Sequence, residues 1–248
     1  MPLDKQNYEN FYLGNGAEFK IMSEIYLLGY EAAKMNPDIG IDLLVTNKAR
    51  SIFKGSEEII QYLQIKSSFL IDSEAKFSIN KEEMEFLISE EKLATVLCFF
   101  MPIIAAEPKS YDRGDFEPWR ESLEAELETM NYKENFRDLR KKGCLSQIDF
   151  KSFDMGYIWL NNQQMKKAID EKYFDLKKNI KDKSEYYEIK LRIEHLEFDG
   201  EKYETLNLID KNNSVGTPIS EIRNLYYLFK DNYTKNRIEI GDFLQEHY

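Results

Sequence analysis

Apolar and polar positions alternate along this chain in two different rhythms. Ile21, Met22, Ile25 and Leu28 recur at helical spacing, which predicts a helix over residues 16–28 that stops at Gly29. A short strand is expected at 30–33, a turn at 37–40 and a strand at 41–46. The polar stretch 47–58 carries a Lys54-Gly55 turn signal and leads into a strand at 59–66. Residues 77–79 read as a short strand, 81–89 as a helix and 94–101 as a buried strand. A loop with Pro102, Pro108, Gly114 and Pro118 precedes a long helix at 119–142, acidic early and basic late, as the helix dipole favours. A strand at 153–160 and a helix at 163–178 follow.

The last third changes character. Tyr187, Ile189, Leu191 and Ile193 alternate with Glu188, Lys190, Arg192 and Glu194, the pattern of an antiparallel strand with one wet face. Asp199-Gly200 signals a hairpin into a strand at 203–209, and Pro218 opens a helix running to Lys230. The stretch 177–184 is the best boundary, dividing a domain over 1–180 from an extension over 181–248 that would serve dimerisation, substrate choice or partner binding. The expected fold class is α/β: a mixed central sheet of four or five strands flanked by helices, with a C-terminal hairpin-plus-helix extension.

Composition narrows the class. Of 248 residues, 42% are hydrophobic and 32% charged, as in a globular protein rather than a disordered one. Cys98 lies in an apolar run and reads as a core thiol; Cys144 reads as a free thiol. The start of the chain lacks a signal-peptide pattern, and the longest apolar run is too short to span a bilayer, so a cytoplasmic protein without a membrane partner is expected. A net charge of −11 argues against a broad nonspecific nucleic-acid coat, but leaves room for a cleft with concentrated Lys and Arg.

The chemistry concentrates between Gly16 and Ser67. Glu18 shares the apolar face of its helix with Ile21 and Ile25, although an acid at a helix start also suits the dipole. Asp42 interrupts an apolar strand, and Gln64 and Lys66, two apart, share one face of the next. If the two strands form a tight hairpin near Lys54-Gly55, paired positions sum to about 108, placing Asp42 opposite Lys66 and diagonal to Gln64. Two carboxylates and an amide oxygen suit Mg²⁺, with Mn²⁺ as a substitute. A lysine beside such an ion would orient or deprotonate an attacking water and offset charge on a phosphodiester.

Gly16-Ala17-Glu18, Leu28-Gly29-Tyr30, Gly40-Ile41-Asp42-Leu43-Leu44-Val45 and Gln64-Ile65-Lys66-Ser67 together resemble the PD-(D/E)XK nuclease superfamily, in the form of Mrr-like restriction endonucleases and Holliday-junction resolvase-like proteins. The resemblance covers residues 14–70, and 77–101 less specifically. It implies a restriction-endonuclease-like fold, metal ligands at Glu18, Asp42 and Gln64, and a catalytic Lys66. Gln64 stands where many members have an acid, which gives the metal one fewer negative charge. The resemblance implies a Mg²⁺-dependent DNA endonuclease, with restriction or antiphage defence as its setting. The alternatives are an inactive nuclease-fold subunit of a larger defence complex and an RNA-cleaving nuclease. Cutting both strands would most simply use a homodimer.

Lys48, Arg50 and Lys54, on the link between the two site strands, are candidates for contact with the DNA backbone, though a solvated basic loop has the same composition. Arg137, Arg140, Lys141 and Lys142 read as a dipole-matched helix end. His195 and His247 lack ligand spacing, and Trp119 and Trp159 read as core anchors.

Overall fold

Ala17, Ile21 and Ile25 recur every four residues and are fully buried, so helix α1 (Tyr8–Leu27) lies on the sheet along one stripe. Its end is set by Gly29, whose φ of +82° is left-handed; a Cβ there would collide with the guanidinium of Arg50. The computed structural model describes residues 8–36, 40–71, 73–104, 150–180, 182–198, 201–209 and 225–229. The expected helix at 119–142 with its basic end, Cys144, Trp119, His247, the turns at 37–39 and 199–200, and most of the helix from Pro218 lie outside the described residues.

The protein is mixed α/β with a mostly antiparallel sheet. Strands β1 (Glu31–Lys34), β2 (Leu43–Thr46) and β3 (Ile60–Ile71) run antiparallel in sequence order. Helix α2 (Lys48–Lys54) and an extended segment separate β2 from β3. Strand β4 (Glu74–Asn80) and helix α3 (Lys81–Ser89) then cross over to β5 (Leu93–Ile104), which lies parallel to β3. Strand β6 (Phe150–Asn161) pairs antiparallel with β5.

Of these six strands, β1, β2, β3, β5 and β6 pair side by side, where a central sheet of four or five strands was expected; the whole sheet has nine strands among the described residues. β3 runs five residues past Lys66, and its end pairs with β4 through Leu70↔Ala75 and Ile71↔Glu74. β4 pairs with β8 (Glu185–Phe198), whose other edge takes β7 (Asp175–Lys178) and β9 (Glu201–Ile209). The C-terminal strands are thus continuous with the central sheet, and the boundary expected at 177–184 falls where β7 and β8 pair with each other.

The helix expected over 163–178 is shorter. Helix α4 (Asn162–Asp170) starts from a capping box in which Asn161 and Gln164 satisfy each other's backbone N–H groups. The chain leaves the helix at Lys172, with φ +65°, and residues 175–178 become β7 because β8 offers an unpaired edge. Leu225 to Leu228 form α5, and Phe229 stacks on Tyr30 at 4.6 Å. Trp159 is 2% exposed in β6, a core anchor as expected, and Cys98 is fully buried, which pushes its thiol well above the ordinary range, with the charge of Glu24 adding to the effect. No helix among the described residues is long and apolar enough to cross a membrane.

Candidate functional site

Asp42 stands immediately before β2, and its backbone N–H donates to the Leu63 carbonyl at 2.9 Å. Its Oδ2 accepts two hydrogen bonds, from the Gln64 side-chain Nε2 at 2.9 Å and from the Ile65 backbone N–H at 2.6 Å. Continuing the Leu43↔Leu63 register puts Asp42 opposite Gln64. The expected tight-hairpin register, with Asp42 opposite Lys66, is therefore off by two residues. The reason is the connection: a seven-residue helix and an extended segment replace a tight turn, so sheet packing rather than turn geometry sets the pairing.

Gln64 is 5% exposed, with Leu63 and Ile65 buried on either side, so β3 is covered on both faces here. Asp42 is an acceptor, which makes Nε2 the amide atom facing it and turns Oε1 away. That Oε1 is buried and has no hydrogen-bond partner among the described residues. An unsatisfied buried carbonyl oxygen costs about 1–3 kcal/mol, so this one calls for a donor or a cation.

Glu18 follows the buried Ala17 on α1 and is 17% exposed. It forms an ion pair with Lys34, Nζ to Oε2 at 2.6 Å. Lys34 also donates to Asn15 Oδ1 at 2.9 Å and lies 5.0 Å from the Phe19 ring centroid. Lys34 ends β1 opposite Leu43, and the next N–H, of Met35, donates to the Asp42 carbonyl at 2.9 Å. Glu18 is thereby tied through β1 to the edge of the Asp42–Gln64 pair. Lys66 forms its own ion pair, Nζ to Glu83 Oε1 at 2.5 Å, with both side chains about one-quarter exposed at 26% and 24%. Glu83 sits in the first turn of α3, where an acid also meets the positive end of the helix.

The structure thus brings Asp42 and Gln64 into direct contact and gives Glu18 and Lys66 oppositely charged partners, Lys34 and Glu83, that the sequence pattern did not single out. Lys34 carries no signal beyond ending a short strand, and Glu83 reads as an ordinary first-turn acid. Among the described residues, no three His, Cys, Asp or Glu side chains group as a metal site. The candidate ligands are instead two carboxylates and one amide. Their oxygens suit a hard divalent ion, and the unpaired Gln64 Oε1 is the atom that such an ion would satisfy.

Two of the three basic residues of the β2–β3 link, Lys48 and Arg50, have structural work. Lys48 pairs with Glu58 at 2.7 Å. Arg50 is half-buried, donates to the Leu28 carbonyl at 2.8 Å and stacks over Tyr30 at 4.8 Å, which docks α2 against the end of α1. Lys54 is exposed in the last turn of α2. The N-terminus of α2 is occupied by Glu31, whose carboxylate accepts from the Lys48 and Ala49 N–H groups at 2.7 and 3.0 Å and from Thr46 Oγ1 at 2.9 Å. Burial works to raise the Glu31 pKa, but these hydrogen bonds outweigh it and hold the carboxyl below its ordinary range.

Comparison with protein-family models, with curated proteins and with solved structures returns no match.

Proposed function

We propose that this chain is a Mg²⁺-dependent endonuclease of the PD-(D/E)XK type that hydrolyses DNA phosphodiester bonds, with Mn²⁺ as a working substitute. The observation that supports this most is the buried Oε1 of Gln64, without a partner among the described residues, on the amide that binds the Asp42 carboxylate. A buried amide oxygen without a partner among the described residues costs about 1–3 kcal/mol, which a bound cation would offset. The order of the elements agrees: an acid on a helix, an acid entering the second strand, and Gln-X-Lys on the third strand, with a parallel fifth strand reached through a helix.

Glu18, Asp42 and Gln64 would hold the ion. When bound, it would lower the pKa of a coordinated water and polarise the phosphoryl group. Asp42 holds the Gln64 side chain through Nε2 and leaves the amide oxygen as its uncommitted end. The Lys66 ammonium, steered by Glu83, donates toward the attacking water or a non-bridging phosphoryl oxygen and offsets charge in the transition state. Lys54 and the solvent edge of α2 are the remaining candidates for backbone contact, since Lys48 and Arg50 are engaged within the protein.

The test is cleavage of plasmid and linear DNA in Mg²⁺ or Mn²⁺, with RNA in parallel. The parent protein should cut DNA, and Lys66→Ala and Asp42→Ala should reduce cutting by at least about a hundred-fold, the usual weight of one electrostatic or general-base group. Equal cutting by parent and variants would refute the assignment, and cutting of RNA alone would move it to a ribonuclease. One observation favours a second reading. Glu18 and Lys66 are each neutralised by an ion pair, as suits a nuclease-like subunit that binds within a larger defence assembly without cutting. A parent protein that neither binds Mn²⁺ nor cuts DNA would support that reading.

A further inference from the structure

The Lys34 ammonium has a seat built by three side chains of one helix face: Asn15 Oδ1 at 2.9 Å, Glu18 Oε2 at 2.6 Å and the Phe19 ring at 5.0 Å. Residues three and four apart on a helix face the same neighbour, so this seat belongs to the rigid frame of α1. The two partners differ in exposure. Glu18 is 17% exposed and Lys34 is 36% exposed. The carboxylate is the committed partner, and the lysine reaches it from the solvent side on a flexible four-carbon stem. A partly buried carboxylate that loses its cation must be solvated or take another positive charge.

We propose that Lys34 is a functional residue of this site: in the metal-free protein its ammonium holds the Glu18 carboxylate, and a divalent cation binds there only by displacing it. The proposal rests on the metal-site reading above. Lys34 is then an internal competitor that weakens resting affinity and keeps Glu18 in place between metal-binding events. It acts through Glu18 and is a positioning residue rather than a catalytic one. The Lys66–Glu83 pair lies on β3 and α3 and does not share this seat.

The experiment is Mn²⁺ titration of the full chain by calorimetry at neutral pH, with circular dichroism confirming that each variant is folded. Lys34→Met and Lys34→Gln should bind Mn²⁺ about three- to five-fold more tightly than the parent, the weight of one partly exposed ion pair. Lys34→Arg should stay near the parent. Lys177→Met is the matched control, because Lys177 is also 36% exposed and paired with a glutamate at 2.6 Å, but on β7. It removes the same net charge and should change affinity by less than about half as much. In a Glu18→Gln background, Lys34→Met should give no gain.

A gain at Lys34 no larger than at Lys177, or one that persists without the Glu18 carboxylate, overturns the proposal. Parent binding that Asp42→Asn abolishes, with no Lys34 effect, sinks the role of Lys34 and spares the metal site. Failure of the parent and of every Lys34 variant to bind Mn²⁺ sinks both. Binding that appears only once Lys34 is replaced supports the competition.

Discussion

Gln64→Glu would restore the acid that the nuclease pattern leads one to expect, and it should destabilise the metal-free protein. The Gln64 Nε2 bond to Asp42 is a donor-to-carboxylate contact of 2.9 Å, worth about 1.5–3 kcal/mol. The variant replaces that donor with a second carboxyl at hydrogen-bonding distance. Two charges about 4 Å apart at an effective dielectric of about 20 repel by about 4 kcal/mol. The pair escapes part of this by keeping one proton, and the O–H then donates to Asp42. Holding a proton on a group with an ordinary pKa of about 4.3 costs about 3–4 kcal/mol at pH 7 and about 1 kcal/mol at pH 5.

The sign follows from linkage. The introduced carboxyl has a raised folded-state pKa, so its cost is small near pH 5 and grows as the pH rises toward that folded value. Urea unfolding followed by circular dichroism should therefore show a deficit of about 3 kcal/mol at pH 7 that shrinks to about 1 kcal/mol at pH 5. Mn²⁺ at a hundred times its Kd should return about 2.7 kcal/mol. A variant as stable as the parent at pH 7 without metal, or a deficit indifferent to both pH and Mn²⁺, would refute the argued contact between Gln64 and Asp42.

Two further outcomes follow from the frame of the site. Gly156 lies opposite Phe99 in the β5–β6 ladder, and a Cβ there would run into the buried Phe99 ring, so Gly156→Ala should cost about 1–3 kcal/mol and lower Tm by roughly 3–10 °C; an unchanged melt would contradict the packing. Burial pushes the Glu74 carboxyl up, but hydrogen bonds and charge from Arg192 and Lys76 outweigh it and hold it below its ordinary range. A lowered folded-state pKa gives stability that is complete above about pH 4.3 and lost as pH falls through the folded value. Arg192→Met should thus be less stable than the parent by about 1 kcal/mol at pH 7, with the gap closing toward pH 3; a gap independent of pH would be the wrong result.

Much of the local structure was legible because its signals are local. The alternation from Tyr187 to Glu194 predicted β8 because one face of that strand carries charged, partly exposed side chains, and helix 81–89 matched α3 in both bounds. The errors fell where a distant strand decides the conformation. β3 continues to Ile71 because its last residues pair with β4, and residues 175–178 leave the helical pattern to pair with β8. The register between Asp42 and β3 also escaped a turn-based estimate, since α2 sits where the turn was expected.

The sequence by itself determined which side chains carry chemistry: an acid on α1, Asp42 at the head of β2 and Gln64 and Lys66 on one strand. Spacing along a chain encodes which residues share a face, and a period of two or of 3.6 needs no knowledge of neighbours. Only the tertiary structure decided that Asp42 faces Gln64, that Gln64 Oε1 is buried without a partner among the described residues, and that Lys34 and Glu83 neutralise Glu18 and Lys66. Ion pairing and burial depend on distance through space, which falls within a few ångströms only after strands and helices from separate parts of the chain have packed.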